Sequence, residues 1–309
     1  VVAVLAQIGA PTDGFVAFAR GDGASFNDKA QSNTFDAGVY GVPTYQLIEH
    51  SDRRGLPAQF FGREHLPRIA ALLANQEKPL PDVAYTLPAD LDDLALEKCA
   101  SVPGVSQTQQ SLPVFFDFSS PNSYLALPAL MQLKAQGIVL SWHPFEHKPL
   151  KKPASYAADE DRAARHRRVR GEYIALDIQR YAPHPLRDIY MHMESANANL
   201  GLIWLQQIAP AKVDDYVCRI FQQLWRDHVD VSNLSVVTEQ LQQILGEAEF
   251  APTHWHDFVQ SSGSDALGSV YDKASKLGVS YAPTFFLGEE PFQGRAQLPL
   301  ISARLNAGV

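Results

Sequence analysis

The chain has 309 residues, 46% of them hydrophobic, and carries a formal net charge of -8 at pH 7. That length suits two domains of moderate size with full cores, and the acidic balance argues against nucleic acid as a partner, since phosphate binding wants the opposite sign. No apolar run approaches a membrane span, and Val1-Val2-Ala3-Val4-Leu5-Ala6 lacks the basic flank and cleavage site of a signal peptide. A cytoplasmic location with no membrane partner is expected. The missing initiator Met is read as a start inside a longer polypeptide. Cys99 and Cys218 form no C-x-x-C, which excludes a local dithiol centre and a cysteine-rich zinc site.

Residues 1–20 read as a helical pair around Gly9-Ala10-Pro11-Thr12, and 24–37 as a polar helix ending at Gly38. Gly38-Val39-Tyr40-Gly41-Val42-Pro43-Thr44-Tyr45-Gln46-Leu47 turns into a strand. Phe60-Phe61-Gly62-Arg63 then leads to a helix carrying Leu66, Ile69, Leu72 and Leu73. Residues 77–112, rich in proline and with a short acidic helix near 90–98, read as a linker between a first unit, 1–76, and a second, 113–309. The second opens on Pro113-Val114-Phe115-Phe116-Asp117-Phe118, a short buried strand. Ser119-Ser120-Pro121 stops that strand and starts a helix through Tyr124-Leu125-Ala126. Pro121 suits the first helical turn and Ser120 or Ser119 the N-cap. Ser120 therefore stands at a helix N-terminus, either as a plain cap or as a group facing a thiolate, carboxylate or phosphate. A second strand is expected at 138–142. Helices are expected over 158–181, 188–208, 212–227 and 233–246, and a strand with a last helix from Gly278 onward.

The chain repeats itself. Gly38-Val39 to Pro43-Thr44 matches Gly278-Val279 to Pro283-Thr284 at an offset of 240, and Phe60-x-Gly62-Arg63-x-x-Leu66-Pro67 matches Phe292-x-Gly294-Arg295-x-x-Leu298-Pro299 at 232. The difference is a longer loop in the first copy. A domain duplication is expected, with the opening strand–helix–strand of the first copy lacking here.

Three motifs carry a resemblance. They are Phe116-Asp117-Phe118-Ser119-Ser120-Pro121-Asn122-Ser123-Tyr124-Leu125-Ala126, Arg170-x-x-Tyr173-Ile174-x-x-Asp177-x-x-Arg180-Tyr181-Ala182, and Gly278 to Leu287 with Gly294 beyond. Over roughly 113–305 they resemble the DsbA-like branch of the thioredoxin superfamily that contains 2-hydroxychromene-2-carboxylate isomerases and kappa-class glutathione transferases. The resemblance implies an α/β, thioredoxin-like fold with a large helical insertion, duplicated with the first copy partial, and a cis Pro283. It also implies Ser120 as the catalytic hydroxyl, with Ala282, Pro283, Ser123, Asn122 and Lys151 as the glutathione-binding set. In disulfide oxidoreductases of this type Ser120 and Ser123 would be cysteines, and hydroxyls exclude dithiol exchange here. The expected activity is glutathione-dependent isomerisation or conjugation of a small electrophilic or aromatic substrate. The alternatives are a redox-inactive binding module, or a disulfide oxidoreductase whose cysteines precede Val1. A homodimer, or a pseudo-dimer of the two copies, is expected. Where relatives carry a polar–acidic pair after the glycine, Arg295-Ala296 stands here and Arg63-Glu64 in the other copy. Pro183-His184-Pro185 replaces a Gly-x-Pro loop.

Other polar residues have plainer readings. Asp177 and Arg180, three apart on one helix, form a structural ion pair, and the arginine run 162–170 is a solvated face. His143 and His147 are separated by Pro144 and make no metal site. Both cysteines are small hydrophobes.

Overall fold

The computed structural model describes residues 1–52, 55–85, 111–191 and 193–306. The acidic helix near 90–98, Cys99 and most of the expected linker lie outside these residues. The chain forms two compact units, one of residues 1–61 and 152–176 and the other of 62–151 and 177–309. These divisions differ from the boundaries at 76 and 112 drawn from sequence: residues 62–76 fold with the second unit and 152–176 with the first.

The first unit opens with α1 (Val2–Gln7), α2 (Phe15–Arg20) and α3 (Asp22–Asp36), none of which buries a residue. An antiparallel hairpin follows, β1 (Thr44–Ser51) and β2 (Pro57–Phe61), with Thr44 opposite Phe61 and Tyr45 opposite Phe60. Its centre is aromatic: Tyr40 lies 4.7 Å from Phe61 and 5.3 Å from Tyr173, ring to ring, and the Tyr173 hydroxyl accepts from Phe61 N at 2.7 Å. Tyr173 belongs to α6 (Arg162–Tyr181), in which Arg165 and Arg168 are matched by carboxylates. Arg168 reaches Glu160 at 2.5 Å and Glu172 at 3.1 Å, and Arg165 pairs with Asp36. These pairs and Gln46 and Gln59 line a cavity of about 590 Å³.

The second unit is built on a four-stranded sheet in the order β4-β3-β5-β6. Its strands are β3 (Ser111–Phe116), β4 (Val139–Pro144), β5 (Thr284–Leu287) and β6 (Glu290–Gln293). β3 and β4 are parallel, which requires a crossover; α5 (Pro121–Ala135) supplies it. β5 runs antiparallel to β3, with Val114 opposite Phe285. Between β4 and β5 the chain inserts a helical block. It comprises the end of α6, α7 (Ala196–Ile208), α8 (Val213–Trp225), α9 (Leu234–Leu245), α10 (Pro252–Gln260) and α11 (Gly263–Lys276). The last two helices fall where the sequence reading assigned no element.

α8 has its apolar residues at helical spacing, with Tyr216, Val217, Ile220, Phe221, Leu224 and Trp225 all buried. That face meets Phe116 and Phe118 at the end of β3, with Phe221 5.7 and 4.9 Å from them. The Trp225 indole donates to the Phe118 carbonyl at 2.9 Å. The helical block is thereby fixed to the turn that ends β3. On the other face of β3, Phe115, Phe145, Ala282 and Phe286 pack with Ala274 of α11.

The two hairpins share a register. Thr44 opposite Phe61 corresponds, at the offsets of the sequence repeat, to Thr284 opposite Gln293. Val42-Pro43 and Ala282-Pro283 are both cis. Gly62 and Gly294 follow at φ 102° and 85°, each leading through one 3₁₀ turn to a helix, α4 (Leu66–Leu73) and α12 (Leu298–Asn306).

His143, on β4 and stacked on Phe115 at 4.8 Å, is held neutral by burial, with its pKa lowered to about 4 and Lys273 adding to the effect. Burial also lowers His147. The unfolded chain, titrating near the ordinary 6.5, binds more protons than the folded one between those values, so stability is lost as pH falls through that window. The thermal midpoint is expected to drop from neutral pH to about pH 4, and to drop less in His143→Gln, where His147 alone contributes.

Candidate functional site

The turn after β3 is arranged by one buried carboxyl group. Asp117 is 1% exposed and accepts from Ser119 N, His147 N and Ser195 Oγ, each at 2.8 Å. Its carbonyl accepts from Ser120 N at 3.0 Å. The chain is thus bent at Asp117 and released into α5 with Ser120 as N-cap, Pro121 at the first helical position, and Ser120 Oγ accepting from Ser123 N at 3.3 Å. The cap follows from residue chemistry, because a serine oxygen satisfies a donor that the helix cannot and proline has none to lose.

Ser120 Oγ donates to the carbonyl of Ala282 at 3.2 Å, across 162 positions of sequence. Ala282 stands before Pro283 in a turn pinned at both ends. The Thr284 hydroxyl donates to Tyr281 O at 2.6 Å, and Gly294 N to Pro283 O at 2.8 Å. Both Ser120 and Ala282 are buried, at 2% and 1% exposure.

Asn122, in the first turn of α5, ties this pair to its surroundings. Its amide donates to the Tyr281 hydroxyl at 3.3 Å and its oxygen accepts from Arg295 Nη1 at 2.5 Å. Arg295 is 7% exposed; its Nε faces both oxygens of Asp82, at 3.2 and 3.3 Å, and its guanidinium lies 5.0 Å over the Tyr181 ring. Burial holds the Tyr281 phenol above its ordinary pKa, and does the same for the Glu64 carboxyl against the pull of Arg63 and Arg295. Ser123 Oγ and Arg295 Nη2 are buried without a hydrogen-bond partner among the described residues.

Of the residues singled out from sequence, the structure brings together Ser120, Asn122, Ser123, Ala282 and Pro283. Lys151 is exposed in the irregular segment after β4 and is not among the residues that meet there. Asp177 and Arg180 pair at 2.6 Å. Cys218 is partly buried, 3.5 Å from Met131 Sδ, and burial pushes its thiol up to about 11. His143 and His147 point to separate partners, Ser141 Oγ for one and the Tyr281 ring edge for the other. The sequence reading missed Asp117 as organiser, Arg295 as the partner of Asn122, and a contact between Tyr124 and His184 at 2.7 Å.

A family model described as a DSBA-like thioredoxin domain matches residues 111–306. Among solved structures, a 2-hydroxychromene-2-carboxylate isomerase is 20% identical, with a TM-score of 0.49, over 64% of this chain and 95% of its own. A putative protein disulfide isomerase from Nitrosomonas europaea is 14% identical, with a TM-score of 0.46, over 65% and 99%. The cytosolic disulfide reductase DsbM from Pseudomonas aeruginosa, solved with GSH, is 17% identical, with a TM-score of 0.45, over 64% and 98%. No curated protein matches the sequence.

Removing the Asp117 carboxyl strands two buried N–H groups and a hydroxyl. Asp117→Ala is expected to destabilise the second unit by about 2–5 kcal/mol in chemical denaturation. Asp117→Asn gives little rescue, because its NH₂ must face one of the donors.

Proposed function

The chain belongs to the family of DSBA-like thioredoxin domains, which its residues 111–306 match, and on that premise we propose a glutathione-dependent isomerase or transferase for a small electrophilic or aromatic substrate. The reading is of the 2-hydroxychromene-2-carboxylate isomerase kind. The observation that carries it is the hydroxyl of Ser120, placed at the N-terminus of α5 and in contact with the Ala282 carbonyl. With oxygen at positions 120 and 123, the site has no dithiol to exchange, and its remaining competence is to hold a thiolate.

The residues present fit glutathione. The neutral hydrogen bond from Ser120, 3.2 Å long, is readily replaced by a stronger, charge-assisted one to sulfur. The helix N-terminus adds a further ~0.3–1 kcal/mol in favour of the anion. An extended tripeptide would pair with the main chain at Ala282 in the manner of an added strand, taking the place of the Ser120 hydroxyl at that carbonyl. The unpartnered donors Ser123 Oγ and Arg295 Nη2 suit a ligand bearing carboxylates, with Asn122 between them. Lys151, exposed in the segment after β4, stays a candidate for glutathione binding. Glutathione, when bound, supplies the thiolate that adds reversibly to an unsaturated substrate or is conjugated to it. A cytoplasmic location, where glutathione is kept reduced, goes with this reading. No described helix is long and apolar enough to cross a membrane.

We also infer that residues 1–76 are the closing part of a second copy of the domain, on the strength of the shared hairpin register. An experimental structure in which residues 44–47 and 58–73 fail to superpose on 284–287 and 290–305 would remove that inference. The competing reading, a module that holds a peptide without chemistry, is favoured by the burial of Ser120 and its engagement with Ala282. Calorimetry separates the two: saturable heat with glutathione is expected, and no heat at millimolar ligand would end the enzymatic reading. Ser120→Ala is expected to lower turnover of an aromatic electrophile on the order of 10²-fold with the fold retained.

A further inference from the structure

Arg295 is a buried cation whose guanidinium is only partly used. It is 7% exposed, and its Nη1 donates to Asn122 Oδ1 in the first turn of α5. Asn122 also donates to the Tyr281 hydroxyl. These two residues stand two positions after Ser120 and one before Ala282, so hydrogen bonds join Arg295 to both sides of the Ser120–Ala282 contact. The Arg295 Nε donates to both oxygens of Asp82, at 3.2 and 3.3 Å, while Nη2 is buried without a partner among the described residues. Nε and Nη2 present parallel N–H groups along one edge of a guanidinium, and a well-seated carboxylate puts one oxygen on each. Asp82 uses half of that edge.

Asp82 is weakly held. Its side chain is 48% exposed, so the pair adds little to stability, and its Oδ1 is shared with Val83 N at 2.8 Å. The segment that carries it, 82–85, is neither helix nor strand. Two main-chain hydrogen bonds strap it down: Ala84 N donates to Glu64 O at 2.8 Å, and Tyr85 N to Ala296 O at 3.1 Å. Glu64 and Ala296 hold equivalent places in the repeated Gly-Arg motif, each in a 3₁₀ turn. The strap thus lies between the two turns, with its carboxylate on the arginine of one.

We propose that Asp82 is an internal stand-in for a ligand carboxylate, and that glutathione displaces it to seat one of its own carboxylates on Arg295 Nε and Nη2. This rests on the reading of the Ser120 site as a glutathione site. The exchange replaces one shared N–H with two parallel ones and gives the leftover donor a partner. A guanidinium buried to this degree needs a counter-ion, so a ligand that moves Asp82 aside must bring a negative charge in its place. The site is thereby restricted to thiols bearing a carboxylate, and its occupancy is set by a competition within the chain.

The test is calorimetric titration of the full chain with glutathione and with glutathione diethyl ester, in which both carboxylates are blocked. The wild type is expected to bind the ester about tenfold more weakly than glutathione. Asp82→Asn removes the competing charge and keeps an acceptor for Val83 N. It is expected to tighten glutathione about fivefold and to leave the ester unchanged. Asp82→Ser is expected to act in the same direction, with the thermal midpoint of each variant checking that the fold is retained. Glutathione binding no tighter in either variant than in the wild type would overturn the stand-in and leave the glutathione reading standing. An ester that binds the wild type as well as glutathione does, or gains as much from the substitutions, would have the same effect. Absence of saturable heat with glutathione in the wild type and in both variants would overturn both.

Discussion

The second unit depends on a buried acid at the end of a strand. A carboxyl group with 1% of its surface exposed persists only if its lone pairs are filled, and Asp117 fills them from three directions. It takes one N–H from its own turn, one from the segment after β4 and a hydroxyl from the start of α7. Sheet, crossover and helical insertion are thereby referred to a single point. The Trp225–Phe118 hydrogen bond adds α8 to the same point. Three residues downstream, Ser120 inherits that rigidity, which is the condition for a functional group to hold its geometry.

Around Ser120 the hydrogen bonds form a continuous path. Ser120 reaches the Ala282 carbonyl, Asn122 joins Tyr281 to Arg295, and Arg295 engages Asp82 and the Tyr181 face. Ala296 stands where the sequence resemblance leads one to look for an acidic group. Beside α5 Arg295 supplies a positive charge, and the Glu64 carboxyl, its pKa raised by burial, lies within electrostatic reach of both Arg295 and Asp177. A ligand with both a carboxylate and an ammonium group meets both signs there.

The strand–cap–helix motif was legible because its causes are local. Pro121 and Ser120 determine the helix start within two residues, and the contrast between Phe115-Phe116 and Ser119-Ser120 marks the strand end. The β5–β6 hairpin and its turn were legible through the repeat. What sequence hid were contacts of long range: Arg295 meets Asn122 across 173 positions, and Asp117 meets Ser195 across 78. A lone buried Asp in an aromatic strand offers no period by which to find its partners. α10 and α11 went unseen for a different reason. α11 buries only Gly263 and Ala274 among its 14 residues, and α10 only Trp255 and Phe258. So few of their side chains reach the core that packing by the rest of the unit, more than their own sequence, decides these helices. The first unit's division from the second was hidden too, because α6 runs through it without a break in sequence character.

The hydroxyls at 120 and 123 have a consequence for the conditions under which this domain can operate. Oxygen at these positions does not change oxidation state under peroxide or with the ratio of reduced to oxidised thiols, whereas a cysteine pair in the same helical turn would open and close with both. The first turn of α5 therefore keeps one chemical form in any compartment. Any dependence on electrochemical potential would have to enter with what binds there, not through these two side chains.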